Sequence, residues 1–178
     1  MTTIHHRFQN HNINTNTETL IVGTFNPDTP ENIADFFYGR SRNYLWTLLP
    51  ASFQMPSLKG KEKTDKLEFI SKSNVDFIDL IASVEVDKPD NYDDRYLDGR
   101  VSEWRNVISV MKKLPMLKQV CFTRKTLADI PKMKERIEGI KTYCEESNIR
   151  FQYLPTPARF YNDAKQTEWS NFFNHGNR

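Results

Sequence analysis

The chain has 178 residues, 38% of them hydrophobic and 27% charged, with a formal charge of +2 and a mean hydropathy of −0.68. That length fits one domain with one well-covered core, and that charge excludes a protein that gathers polyanions by net charge alone, so any nucleic-acid surface has to come from local clustering. The two cysteines, Cys121 in an apolar run and Cys144 in a helical pattern, exclude a disulfide framework and a metal cluster, and no stretch is apolar for long enough to span a bilayer.

In chain order, residues 1–18 are polar and rich in His, Asn and Thr, with Ile4 and Phe8 as the bulky anchors before Ile13. A loosely held lead-in is expected, with His5, His6 and His11 at the surface, because no acidic or cysteine partner stands near them at a ligand spacing. Residues 19–24, TLIVGT, form a β-branched, apolar run without alternation, the pattern of a parallel strand covered on both faces. Similar runs recur at 75–81, 118–123 and 150–154. Helical patterns separate them: 43–49, 62–71, a stretch placing Trp104, Val107, Ile108 and Met111 on one face with Ser102 as cap, and a helix opened by Pro131 that carries Met133, Ile137, Ile140 and Cys144. A last amphipathic segment covers 167–173, and 88–100 reads as an exposed loop. The alternation of strand and helix predicts one α/β domain over 1–178, with a parallel sheet and helices on both faces.

In such a sheet a ligand site lies beyond the carboxyl ends of the strands. After the first strand come Phe25, Asn26, Pro27 and Asp28, then Tyr38, Arg40, Arg42 and Asn43. Asp79 falls near the end of the second run, Arg124 and Lys125 follow the third, and Thr156, Pro157, Ala158 and Arg159 follow the fourth. The arginines and Lys125 form a candidate phosphate-binding rim, against which the aspartates of 87–98 argue unless they point outward. Gly23 alone stands where a dinucleotide or P-loop site needs several glycines, and neither a catalytic triad nor a zinc signature can be assembled. The remaining kit of amides, aromatics, prolines and arginines suits a flat heterocycle and a phosphate backbone.

Several ordered pieces resemble the uracil-DNA glycosylase superfamily, especially its mismatch-specific uracil and thymine glycosylases and its hypoxanthine-DNA glycosylases. LIVGTFNP is similar to the first motif, FFYGRSRNYLW to the aromatic–asparagine block, VDFIDLIAS and LKQVCFT to the second and third strand segments, and LPTPAR to the last motif. The resemblance runs from Leu20 to Arg159 and implies a three-layer α/β/α sandwich around a four-stranded parallel sheet. It also implies hydrolysis of an N-glycosidic bond in DNA, with Asn26 positioning the water, Tyr38 stacking on the flipped base, Asn43 as a second catalytic amide, and residues 156–159 entering the duplex. The first motif has one residue more between Gly and Asn than the mismatch-specific pattern, so an ungapped match puts Phe25 at the asparagine position. The last motif lacks the histidine of the classical uracil enzymes.

The residues themselves leave other roles open. Asn26 is also a turn residue before Pro27, Asn43 a helix cap, and Asp79 either bonds the base or caps a neighbouring helix. The expected partner is DNA bearing a deaminated or mispaired base, met by a cytoplasmic monomer with neither metal nor organic cofactor. The competing expectations are a non-catalytic nucleotide or nucleic-acid binding module on the same fold and, more remotely, an enzyme acting on free nucleosides.

Overall fold

The computed structural model describes residues 1–175. At its centre lies β2 (Thr19–Gly23), every residue of which is buried. It pairs in parallel with β3 (Val75–Asp79) on one side and β6 (Gln119–Phe122) on the other, and β7 (Arg150–Tyr153) extends the sheet beyond β6. Successive side chains of a strand point to opposite faces. Leu20, Val22, Ile78, Val120 and Phe122 therefore join a core with α4 (Val107–Met111) and α5 (Pro131–Glu146), which contribute Met111, Met133, Ile137, Ile140 and Cys144. Ile21, Val75, Phe77 and Cys121 face the other way, onto α1 (Leu45–Ser52), α2 (Lys63–Ser73) and α6 (Asp163–His175) through Trp46, Phe69, Trp169 and Phe172. Three layers result, as the sequence predicts. Continuous apolar runs make the strands because both faces of the sheet are covered.

A second sheet departs from expectation. The apolar run at 75–81 is not one strand: it breaks at Leu80, and β4 (Ile81–Val86) leaves the parallel sheet to pair antiparallel with β1 (Thr2–His5) and β5 (Val101–Trp104). Residues 1–18 are thus no loose lead-in, since Thr2–His5 pair with Ser83–Val86 and Ile4 enters the core. The helix expected from Ser102 starts later. Ser102 lies in β5 with its hydroxyl 2.9 Å from that of Ser83, and α4 is capped by Asn106, whose side chain accepts from the Ser109 N–H.

The 88–100 segment also differs from an exposed loop. It holds the short helix α3 (Asp94–Leu97), buries Leu97, and sends the Asp98 carboxylate to the N–H groups of Lys132 and Met133 at the start of α5. Both cysteines are free and buried, and no helix among the described residues is long and apolar enough to cross a membrane.

Candidate active site

A cleft of about 710 Å³ opens at the carboxyl ends of β2, β3, β6 and β7. Its walls include Phe25, Asn26, Tyr38, Arg40, Arg42, Asn43, Asp79, Arg124, Thr156, Pro157, Ala158 and Arg159, so the candidate catalytic, base-binding and DNA-binding residues lie on one cavity, while Pro27 and Asp28 do not line it. The topology accounts for this convergence: parallel strands deliver all their following loops to the same edge.

Gly23 and Asp79 end β2 and β3 side by side, in register. A Cβ on Gly23 would run into Asp79 Oδ1 and would lie 2.5 Å from the Tyr38 hydroxyl, so the absent side chain is what lets these two groups approach. Tyr38 has a left-handed backbone, φ 58°, which turns its ring inward against Phe77 at 5.6 Å. Its hydroxyl lies 3.3 Å from Thr123 Oγ1. Burial first, and then the charge of Asp79, push the Tyr38 phenol well above its ordinary value, so it stays neutral.

Asn26 is buried, and its carboxamide has a fixed orientation. Asn32 Nδ2 donates both to the Pro27 carbonyl, at 2.7 Å, and to Asn26 Oδ1, at 2.5 Å, while Asn32 Oδ1 accepts from the Ala34 N–H. Backbone groups at both ends thus decide which way Asn32 points, and Asn32 decides for Asn26. The amide that Asn26 leaves free is its NH₂. The turn is clamped from outside as well, because the Arg7 N–H donates to the Asn26 carbonyl at 2.8 Å and Asp28 N–H donates to His5 O at 2.9 Å.

Asn43 Oδ1 accepts from the Leu45 N–H at 3.0 Å, one residue ahead of Tyr44, which occupies the cap position of α1, and its NH₂ makes no bond among the described residues. The segment carrying it is stitched to the last loop by backbone bonds, Tyr44 N–H to Pro157 O and Arg159 N–H to Arg42 O, both 2.8 Å. Within that loop Pro157 is buried, and the apolar side chain that projects is Phe160, 54% exposed. The Lys165 ammonium lies over its ring at 3.8 Å.

Two sequence expectations need correction. Arg124 is not part of a free rim: its guanidinium donates to Asp94 at 2.8 Å, to both oxygens of Asp129 at 2.6 and 2.7 Å, and to Thr126 O. Burial opposes its charge, but the bonds to the two aspartates outweigh that and raise it further. Lys125 is likewise paired, with Glu168. In contrast Arg40, Arg42 and Arg159 are exposed and make no ion pair among the described residues.

Nor are His6 and His11 surface residues. His6 is 1% exposed, with Nε2 bonded to Asp79 Oδ2 at 2.6 Å, and His11 Nε2 meets Asp76 Oδ1 at 2.6 Å. Each of these two histidines finds a carboxylate on β3, far away in sequence, which is why local spacing gave no signal; of the three early histidines His5 is the exposed one. Among the described residues no group of three or more His, Cys, Asp and Glu side chains is arranged to hold a metal ion.

No protein-family model matches the chain, and no curated protein matches it. A solved structure does: the solution NMR structure of "a putative Uracil DNA glycosylase" from Methanosarcina acetivorans is similar over 93% of this chain and 94% of that one, with a TM-score of 0.62 at 18% sequence identity. The three-layer architecture built around β3-β2-β6-β7 is thus a uracil-DNA-glycosylase-like fold.

Proposed function

We propose that the protein is a monofunctional DNA glycosylase that hydrolyses the N-glycosidic bond of a deaminated or mispaired base. The observation that carries the reading is the locked Asn26 carboxamide. In a cleft lined by Tyr38, Phe25 and Asp79, it holds two N–H donors ready without titrating. Breaking the bond from C1′ to the base leaves positive character on the sugar and sends the electron pair to the base, so the site has to donate hydrogen bonds to the departing base and hold a water against C1′. The Asn26 and Asn43 amides serve as those donors. A donor can place a water but cannot take its proton, which passes to solvent.

The rest of the cleft suits a flipped nucleotide. Tyr38, neutral and immobilised by its contacts with Phe77 and Thr123, stacks on the base. Arg40, Arg42 and Arg159 bind the flanking phosphates. The loop of Thr156, Pro157 and Ala158 approaches the duplex, with Pro157 held inside by Tyr44 and Phe160 as the wedge that fills the vacated stack. Flipping costs a few kcal/mol, less at a mispair, and stacking plus the wedge offset it.

Duplexes carrying uracil, hypoxanthine, xanthine or thymine mispairs, treated with the protein and then with alkali to cleave abasic sites, test the proposal. Strand cleavage is expected on at least one, with Asn26→Ala lowering the single-turnover rate roughly 100- to 1,000-fold while DNA binding persists. Binding without cleavage on any duplex would leave only the non-catalytic module.

A further inference from the structure

The state of the His6–Asp79 pair can be read from a third atom. The Phe8 backbone N–H donates to His6 Nδ1 at 3.0 Å, so Nδ1 carries no proton. The imidazole is therefore the neutral tautomer, and its one N–H, on Nε2, donates to Asp79 Oδ2 at 2.6 Å. A neutral donor orients a carboxylate without cancelling its charge. The Asp79 side chain is 7% exposed. Its other oxygen, Oδ1, has no hydrogen-bond partner among the described residues, yet it is not sealed off: the one side-chain polar atom both buried and unpartnered there is Tyr92 Oη. Oδ1 thus opens into the cleft as the free acceptor of a carboxylate that no cation pairs. The basic side chains that follow β6 do not neutralise it, since Arg124 is bound by Asp94 and Asp129, and Lys125 by Glu168.

This anion is badly placed for a base that departs carrying negative charge, and well placed for one that starts out positive. A neutral base leaves with the bond pair as an anion, against a fixed carboxylate. A base made cationic by N-alkylation leaves with the same pair as a neutral molecule, so charge in the cleft falls as the bond breaks.

We propose that the cleft also releases N-alkylated, positively charged bases such as 7-methylguanine from DNA, with Asp79 as their counter-ion and Tyr38 and Phe25 as the aromatic faces that receive the cation. The proposal rests on the glycosylase reading and extends its substrate class. In 7-methylguanine the N1–H and exocyclic amine are donors matched to Oδ1, and O6 is an acceptor matched to the Asn26 NH₂. The C1′–N9 bond breaks and its electron pair neutralises the imidazolium ring of the base. Water oxygen forms the new bond to C1′, and the proton it loses goes to solvent. His6 is a positioning residue, since it touches Asp79 and not the substrate.

The test compares release of free base, by chromatography, from a duplex with a single 7-methylguanine and from duplexes with uracil or hypoxanthine. Release of the methylated base well above its spontaneous loss is expected. Asp79→Asn, isosteric and uncharged, should lower the ratio of methylated to deaminated base release on the order of 100-fold, as expected for loss of one close opposite charge. His6→Gln, which keeps a neutral donor on Oδ2, should retain most of the preference; a ratio that collapses as far as in Asp79→Asn overturns the positioning role of His6. Release of uracil or hypoxanthine without 7-methylguanine overturns the proposal and leaves the glycosylase reading intact, whereas no release from any duplex overturns both. A ratio unchanged in Asp79→Asn, with the variant shown folded by its thermal transition, removes the charge as the cause.

Discussion

Gly23 shows how little space separates the parts of the site. Its φ is ordinary; what it supplies is the missing Cβ between the Asp79 carboxylate and the Tyr38 hydroxyl. Neither neighbour moves cheaply. Asp79 is bonded to His6, and Tyr38 is wedged against Phe77 in a left-handed backbone conformation. Gly23→Ala should therefore cost about 1–3 kcal/mol of stability, in the range of small-to-large changes in packed interiors. The larger effect is expected on base release, because either the Tyr38 ring or the Asp79 carboxylate has to yield. Thermal melting and single-turnover base release on the same variant separate the two effects, and a variant that melts lower but turns over at the parental rate would show that the crowding is structural only.

Elements carry the site by holding one another's ends. Asp98 follows α3 yet caps α5, its two oxygens accepting from the N–H groups of Lys132 and Met133 at 3.0 and 2.7 Å. Through that cap the acidic segment, with Asp94 on Arg124, is tied to the helix beyond β6. Asp98→Ala should destabilise the fold by about 1–2 kcal/mol, the usual cost of losing an N-terminal cap, read as a lower urea midpoint with an unchanged slope. The parallel strands were legible in the sequence because burial on both faces leaves an uninterrupted apolar run. The turn from β3 into β4 was not, because apolar residues continue on both sides of Leu80 and the chain changes sheets there without a Gly or Pro to mark it. β1 was hidden for the opposite reason: only Ile4 of its four residues is buried, so it has hardly any pattern to show. At the site, the loop residues were legible because topology alone sends strand-end loops to one edge. The His6–Asp79 contact spans 73 residues, and neither residue's neighbours announce the other.

The molecule as a whole carries a formal charge of only +2, but its charges are sorted. Arg124 is spent inside on aspartates, while Arg40, Arg42 and Arg159 stand exposed at the mouth of the cleft. If those three meet phosphates, replacing all of them by Gln should lower the slope of log binding constant against log salt by roughly 2–3, at about 0.7–0.9 per phosphate contact. Binding titrations of a lesion-bearing duplex at several salt concentrations read that slope, and an unchanged value would place the DNA elsewhere.

The strand order β3-β2-β6-β7 sets a schedule for making the protein. β2 leaves the ribosome before its partner β6, which lies 100 residues further on, as the bond between Thr19 and Gln119 records. At roughly 5–20 residues per second of synthesis, the apolar strand waits many seconds with one edge unpaired, and pairings of such long range are slow to form. Recombinant yield should accordingly respond more to growth temperature and chaperone supply during translation than to the stability of the finished fold.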